Sequence, residues 1–377
     1  MTKFYNRVIL MMLALMVSVS TFADDVEKDG IRYRVDWEKK EAVVICKDPE
    51  PRANEDNYSG DIVIPSVING GIAVTGIESE AFCYSGVTSI SLPNSLVSIG
   101  DDAFRYSCLE TIVIPNSVKS IGKGAFSKCN MLTSVTISES VTSIGADAFY
   151  GAHRLSSIVV KEGNKVYDSR NNCNAIIETE TNTLIAGCKN TNMPNTVMSI
   201  GDNAFYNCFD LASIAIPESV SSIGDWAFAG CRSLASITIP KSVTSIGDWA
   251  FGNCSSLASV TNYSVVPQEI SKYTFGRYGT FDAKATSVSR GDSEYDDDPG
   301  RYNAILHVLP GCKEVYEKTE FWNRFTIVED AELPTDINEV VSGATASSDK
   351  IFSLSGQRLG KEQKGVNIVG GKKVVRK

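Results

Sequence analysis

An isoleucine followed five residues later by a phenylalanine recurs seven times, as Ile77/Phe82, Ile99/Phe104, Ile121/Phe126, Ile144/Phe149, Ile200/Phe205, Ile223/Phe228 and Ile246/Phe251. The steps between the phenylalanines are 22, 22, 23, 56, 23 and 23 residues. A unit of that length cannot bury an apolar face alone, so the copies must stack and share one continuous core. The chain is therefore expected to be a solenoid.

The period falls in the leucine-rich range and predicts a β-rich α/β right-handed coil with short parallel strands and short helical turns. In Leu234-Ala235-Ser236-Ile237-Thr238-Ile239-Pro240, alternation points Leu234, Ile237 and Ile239 inward from a short strand. The same phrase occurs at Val87 to Pro93, Leu109 to Pro115, Leu132 to Ser138, Leu155 to Val160 and Leu211 to Pro217. Its outward residues are Thr111 and Val113, Ser134 and Thr136, Ser157 and Val159, Ser213 and Ala215, and Ser236 and Thr238. A second phrase, such as Val243 to Phe251, predicts another short strand, a glycine bend and a compact helical turn. Asp101, Asp202, Asp225 and Asp248 follow that glycine and are expected to cap the turn they open.

The 56-residue step is one unit plus 33 residues. Its apolar runs predict a hairpin, Ala175-Ile176-Ile177 against Thr183 to Ala186, protruding from the solenoid edge. Solenoid ends need caps. The division expected is a signal peptide over 1–23, an N-terminal β cap over 24–61 and repeats over 62–330 with an insert at 161–193. A C-terminal cap closes the repeats, then a linker covers 331–349 and a small β module or sorting tail 350–377. Phe275 marks a degenerate eighth unit, and Tyr316, Phe321, Trp322 and Phe325 form an end-cap core; the charged stretch from Arg290 to Arg301 reads as a surface loop.

Lys3 and Arg7 precede an apolar run from Val8 to Val19 and then Thr21-Phe22-Ala23, the order of a secretory signal, so the mature chain is expected to begin near Asp24 without a membrane span. Its loss would take the net charge from −9 to −11, which disfavours nucleic-acid binding. Export invites a disulfide reading of the ten cysteines. Yet Cys129, Cys208, Cys231 and Cys254 each follow the repeat phenylalanine by three residues, which suits a row of buried free thiols. Cys173 and Cys188 flank the hairpin, and their pairing stays open. Neither the thiol row nor the aspartate row converges as metal ligands must, and no cofactor motif is present.

The phrases SVTSIGADAF, SVSSIGDWAF with CRSLASITIP, and SVTSIGDWAF resemble the BspA-like, Treponema pallidum-type leucine-rich repeat family of exported bacterial proteins. The resemblance covers roughly residues 60 to 330. It implies a secreted or cell-surface protein, with adhesion in some relatives, and supplies no catalytic residue. The tail IFSLSGQRLGKEQKGVNIVGGKKVVRK resembles C-terminal modules of exported Bacteroidetes proteins, some of which are sorting signals.

His153 and His307 are the only histidines, and no GxSxG, P-loop or HExxH pattern accompanies them. The expected function is therefore noncatalytic binding of an extracellular protein or glycan. The ten outward strand residues, Thr111 to Thr238, form the candidate face, which carries no aromatic or arginine anchor. The insert and the irregular stretch 262–303 are alternative sites of specificity. A structural envelope or matrix protein without a specific ligand is the competing expectation, and a hydrolase a weaker one.

Overall fold

The computed structural model describes residues 24–47, 57–276, 302–331 and 333, together with four strands between 351 and 376. The proposed signal segment, most of the linker, and the loop from Arg290 to Arg301 lie outside the described residues.

Each coil contributes to two parallel ladders. The front ladder is built from the first phrase: Thr111–Val113, Ser134–Ile137 and Ser157–Val160 pair in register, with Ser134 opposite both Thr111 and Ser157. A second front sheet runs Ser236–Ile239, Ser259–Asn262, Ile305–Val308 and Thr326–Glu329. The back ladder consists of Ser-Ile pairs: Ser98–Ile99, Ser120–Ile121 and Ser143–Ile144 before the insert, and Ser199–Ile200, Ser222–Ile223 and Ser245–Ile246 after it. Inward isoleucines from both ladders enclose the phenylalanine column.

The turn segments do not become helices. The residues two before and two after the phenylalanine have positive φ in all seven coils, between 52° and 74°. This alternation turns backbone amides along the stack instead of around a helix. Phe104 N–H consequently donates to Ala125 O, Phe126 N–H to Ala148 O and Phe228 N–H to Ala250 O, each at 2.7 Å. The aspartates also act between coils and not within them. Asp101 Oδ1 accepts from Lys123 N–H at 2.7 Å, Asp202 from Asp225 at 2.8 Å and Asp225 from Asp248 at 2.7 Å. Glycine is required beside them because a β-carbon at Gly122 would lie 2.5 Å from the Asp101 carboxylate.

Three antiparallel strands, Asp24–Lys28, Ile31–Asp36 and Glu41–Val44, form the N-terminal cap. The last joins the back ladder directly, pairing in parallel with Ile72–Ile77. Ser59–Val63 already pairs in parallel with Gly86–Ser91, so the repeat ladder begins at Ser59, just before the boundary expected at 61. At the other end Phe275 stacks on Phe251 at 5.1 Å, continuing the column as an eighth unit. Trp322, Tyr316 and Phe325 then close it from within: Trp322 Nε1 donates to Gln268 O and Tyr316 Oη to Ser264 O. The tail forms an antiparallel sheet of Ile351–Ser353, Arg358–Leu359, Gly365–Val369 and Lys372–Arg376.

The insert is not a protruding hairpin. Tyr167–Asp168, Ala175–Glu178 and Thr183–Gly187 form an antiparallel meander whose last strand pairs in parallel with Ser199–Ile200. Ile176, Ala186 and Cys188 pack into the core of the preceding coils, whereas Cys173, Ala175, Ile177 and Leu184 pack into the core of the following ones. Three consecutive apolar residues, Ala175 to Ile177, are what a strand buried on both faces requires. The insert thus carries the stack across the long step.

Candidate functional site

The sequence-predicted face follows from the front-strand alternation. Ile112, Val135 and Ile158 are buried, which turns Thr111, Ser134 and Ser157 into one outward row and Val113, Thr136 and Val159 into a second. Thr111, Val113 and Val159 are exposed, Val113 at 61% and Val159 at 44%; Ser134, Thr136 and Ser157 are half-buried beneath their neighbours. Ser236 and Thr238 are exposed on the second front sheet, in register with Ser259 and Thr261.

Ser213 and Ala215 are exposed, but they do not lie on a strand. The segment Leu211 to Pro217 follows the insert, whose strands align with the back ladder and leave it no preceding front strand. Its bond to the next coil, Ala235 N–H to Ala212 O, is long at 3.4 Å. The outward rows are therefore two separate patches and not one continuous stripe. The edge of the first is finished by the insert: Ser169 Oγ accepts Val160 N–H at 2.9 Å, and Asn190 Nδ2 donates to Ser156 O at 3.1 Å.

A second row, missed by sequence reasoning, lies on the turn face. Tyr84 stacks on Tyr106 at 4.7 Å, and Lys128 Nζ lies over both Tyr106 and Tyr150. Tyr150 stacks on Tyr206 at 4.0 Å, and Trp226 on Trp249 at 5.1 Å, with Tyr273 beyond at 5.0 Å. The row crosses from the position after the repeat phenylalanine to the position before it, so no single sequence period reveals it. Trp226 and Trp249 occupy left-handed backbone, at φ 58° and 56°, where other coils place Glu, Asp, Asn or Gly.

The row is interrupted in depth at the insert, where a cavity of about 350 Å³ opens between the coils of Phe149 and Phe205. Tyr167 projects from the insert to one wall, its hydroxyl accepting Ile144 N–H at 3.0 Å where the back ladder lacks its next strand. Burial pushes the Tyr167 phenol up. Across the mouth Asn203 Nδ2 donates to Asp147 Oδ1 at 2.9 Å.

All ten cysteines are unpaired in the structure, including Cys173 and Cys188, which serve opposite cores. Cys129 Sγ donates to Phe104 O at 2.9 Å, and Cys231 and Cys254 donate to Phe205 O and Phe228 O at 3.2 Å. Burial pushes the Cys129 and Cys254 thiols up to about 12 and that of Cys231 well above its ordinary value. Such thiols are poor nucleophiles. His153 stacks on Phe209 at 4.8 Å, and His307 Nδ1 lies 3.7 Å from Asp330. Among the described residues no group of His, Cys, Asp and Glu is arranged to hold a metal, and no helix is long and apolar enough to cross a membrane.

The model of the BspA type leucine-rich repeat region matches residues 66–177 and 181–283 in six copies. The chain belongs to the BspA-type leucine-rich repeat family. Among solved structures it is similar to a leucine-rich repeat protein from Eubacterium ventriosum, with a TM-score of 0.50 and 21% identity over 67% of this chain and 76% of that one. A leucine-rich repeat protein from Bacteroides ovatus is 28% identical over 54% of this chain and 49% of that one, with a TM-score of 0.38. The Treponema pallidum leucine-rich repeat protein is 19% identical over 62% of this chain and 91% of its own, with a TM-score of 0.34. No curated protein matches the chain. The protein is accordingly a strand-dominated leucine-rich repeat protein of the BspA type.

Proposed function

We propose that this BspA-type protein is an exported or cell-surface scaffold that binds an extracellular protein or glycan without turnover. The carrying observation is the in-register front patch, in which Thr111, Ser134 and Ser157 lie beside Val113, Thr136 and Val159. Exposed valines alternating with hydroxyls offer apolar contact and hydrogen bonding on a rigid sheet, and repeated coils let weak contacts add up. The leader-like order of residues 1–23 supports export, and the repeat family supports a surface role.

Deleting residues 161–193 would expose both halves of the core, so the site is better tested by point variants. The mature protein and its Val113→Arg and Thr136→Arg variants are compared on an array of matrix proteins and glycans. A reproducible ligand, lost in both variants while the fold is retained, supports binding through this patch. A ligand retained by both variants moves the site elsewhere on the scaffold. No ligand on a broad array favours the structural envelope or matrix reading. Turnover of a substrate by the purified protein would overturn the noncatalytic reading.

A further inference from the structure

The phenylalanine column has one fault. Phe82, Phe104, Phe126, Phe205, Phe228 and Phe251 are buried to 1% exposure or less, but Phe149 is only half-buried. It stacks on Phe126 at 5.5 Å and 4°, and among the described residues no further ring covers it. The next ring of the column, Phe205, stacks on Phe228 at 5.0 Å, and its near side is closed by Gly187, whose missing β-carbon leaves room for it. The 33 additional residues have separated two neighbouring coils without supplying a ring between them.

The cavity of about 350 Å³ occupies that place, within the usual range for small-molecule sites. Its lining is mostly small and aliphatic but one-sided in charge: the rings of Phe149, Tyr167 and Tyr206 stand with Asp147, Glu178 and Asp202, and no Lys, Arg or His contributes. Aromatic faces and carboxylates both favour a cation, and the absence of a basic group disfavours an anion. A ring seated on Phe149 would continue the column at its own spacing of 5.0 to 5.5 Å.

We propose that the cavity at the insert binds a small aromatic amine, its ring stacked on Phe149 and its ammonium group held by Asp147 and Glu178. Asp147 accepts from Asn203 through Oδ1, and Glu178 accepts from Thr181 of the hairpin turn through Oε2, so Asp147 Oδ2 and Glu178 Oε1 are the oxygens left to meet an ammonium group. This site is independent of the front patch and can operate whether or not that patch binds a macromolecule.

The test titrates the full mature protein by calorimetry with 2-phenylethylammonium, the anion 3-phenylpropionate and the neutral 2-phenylethanol. Saturable binding is expected for the amine, with affinity reduced about tenfold or more in Glu178→Gln and in Asp147→Asn. Both variants keep the side-chain shape, and asparagine tolerates the left-handed backbone of position 147. Ala186→Leu, which fills the cavity from the insert, should abolish binding with the circular dichroism unchanged. The proposal is overturned if the amine does not bind at millimolar concentration or if the anion binds as well as the amine. Amine binding that is unchanged in both charge variants overturns it equally.

Discussion

The carboxylate of Asp225 accepts the backbone N–H of Asp248, one coil further along the stack, at 2.7 Å. Because Gly247 lies against Asp225, the Ile-Gly-Asp phrase works as a pair: aspartate makes the bond and the next glycine leaves space for it. Asp225→Ala should lower stability by about 1 kcal/mol, the net worth of one partly solvated hydrogen bond. Gly247→Ala should cost more, about 2–4 kcal/mol, because its β-carbon would meet the backbone of Asp225 and Gly224 as well as a side chain. Urea unfolding of the two variants checks the order.

The phenylalanines should differ in the same way. Phe228 is buried between Phe205 and Phe251, so Phe228→Ala should cost about 3–5 kcal/mol. Phe149 borders the cavity and lacks one stacking partner, so Phe149→Ala should cost distinctly less. Equal losses in thermal unfolding would contradict the broken column at the insert.

The period alone made the stack legible, since Ile and Phe at 22 or 23 residues mark a buried column and the alternation in Ser236 to Ile239 marks what faces out. Phe275 could be placed as an eighth unit for the same reason. A hairpin pattern does not say what its outer strand pairs with. That depends on Ser199–Ile200, outside the hairpin itself. The aspartate bonds run between coils and not within a turn, which the sequence does not signal because αR–αL alternation, set by contact between coils, has no fixed residue identity: Asp102, Gly124 and Trp226 all occupy the same left-handed position. The cavity was illegible for a related reason, being a property of the gap between two coils.

Thiol reactivity provides a third prediction. Cys108 is exposed and should alkylate rapidly in the native protein at pH 8, whereas Cys129, Cys231 and Cys254 should react only after denaturation. Mass mapping of alkylated sites, without reduction, reads this directly. Blocked Cys129, Cys231 and Cys254 in the denatured, unreduced protein would show that they are oxidised and contradict the unpaired row.

The same thiols set an alkaline limit. Burial raises Cys129 and Cys254 from an ordinary value of 9.0 to about 12, so the folded state holds its protons more tightly than the unfolded state. Their contribution is fully present below pH 9 and is lost as pH rises from 9 toward 12. The urea midpoint should therefore fall between pH 8.5 and 10.5 by on the order of 1 M, and fall less in a Cys129→Ala, Cys254→Ala double variant.

Hydrogen exchange of the mature protein bears most directly on the claim that the insert carries the stack across the 56-residue step. The amides of Ile176, Ile177 and Leu184 should be protected as strongly as those of Phe205 and Phe228, because they belong to the same paired and buried structure. Exchange of the insert amides at the rate of an exposed loop, with the flanking coils still protected, would contradict it.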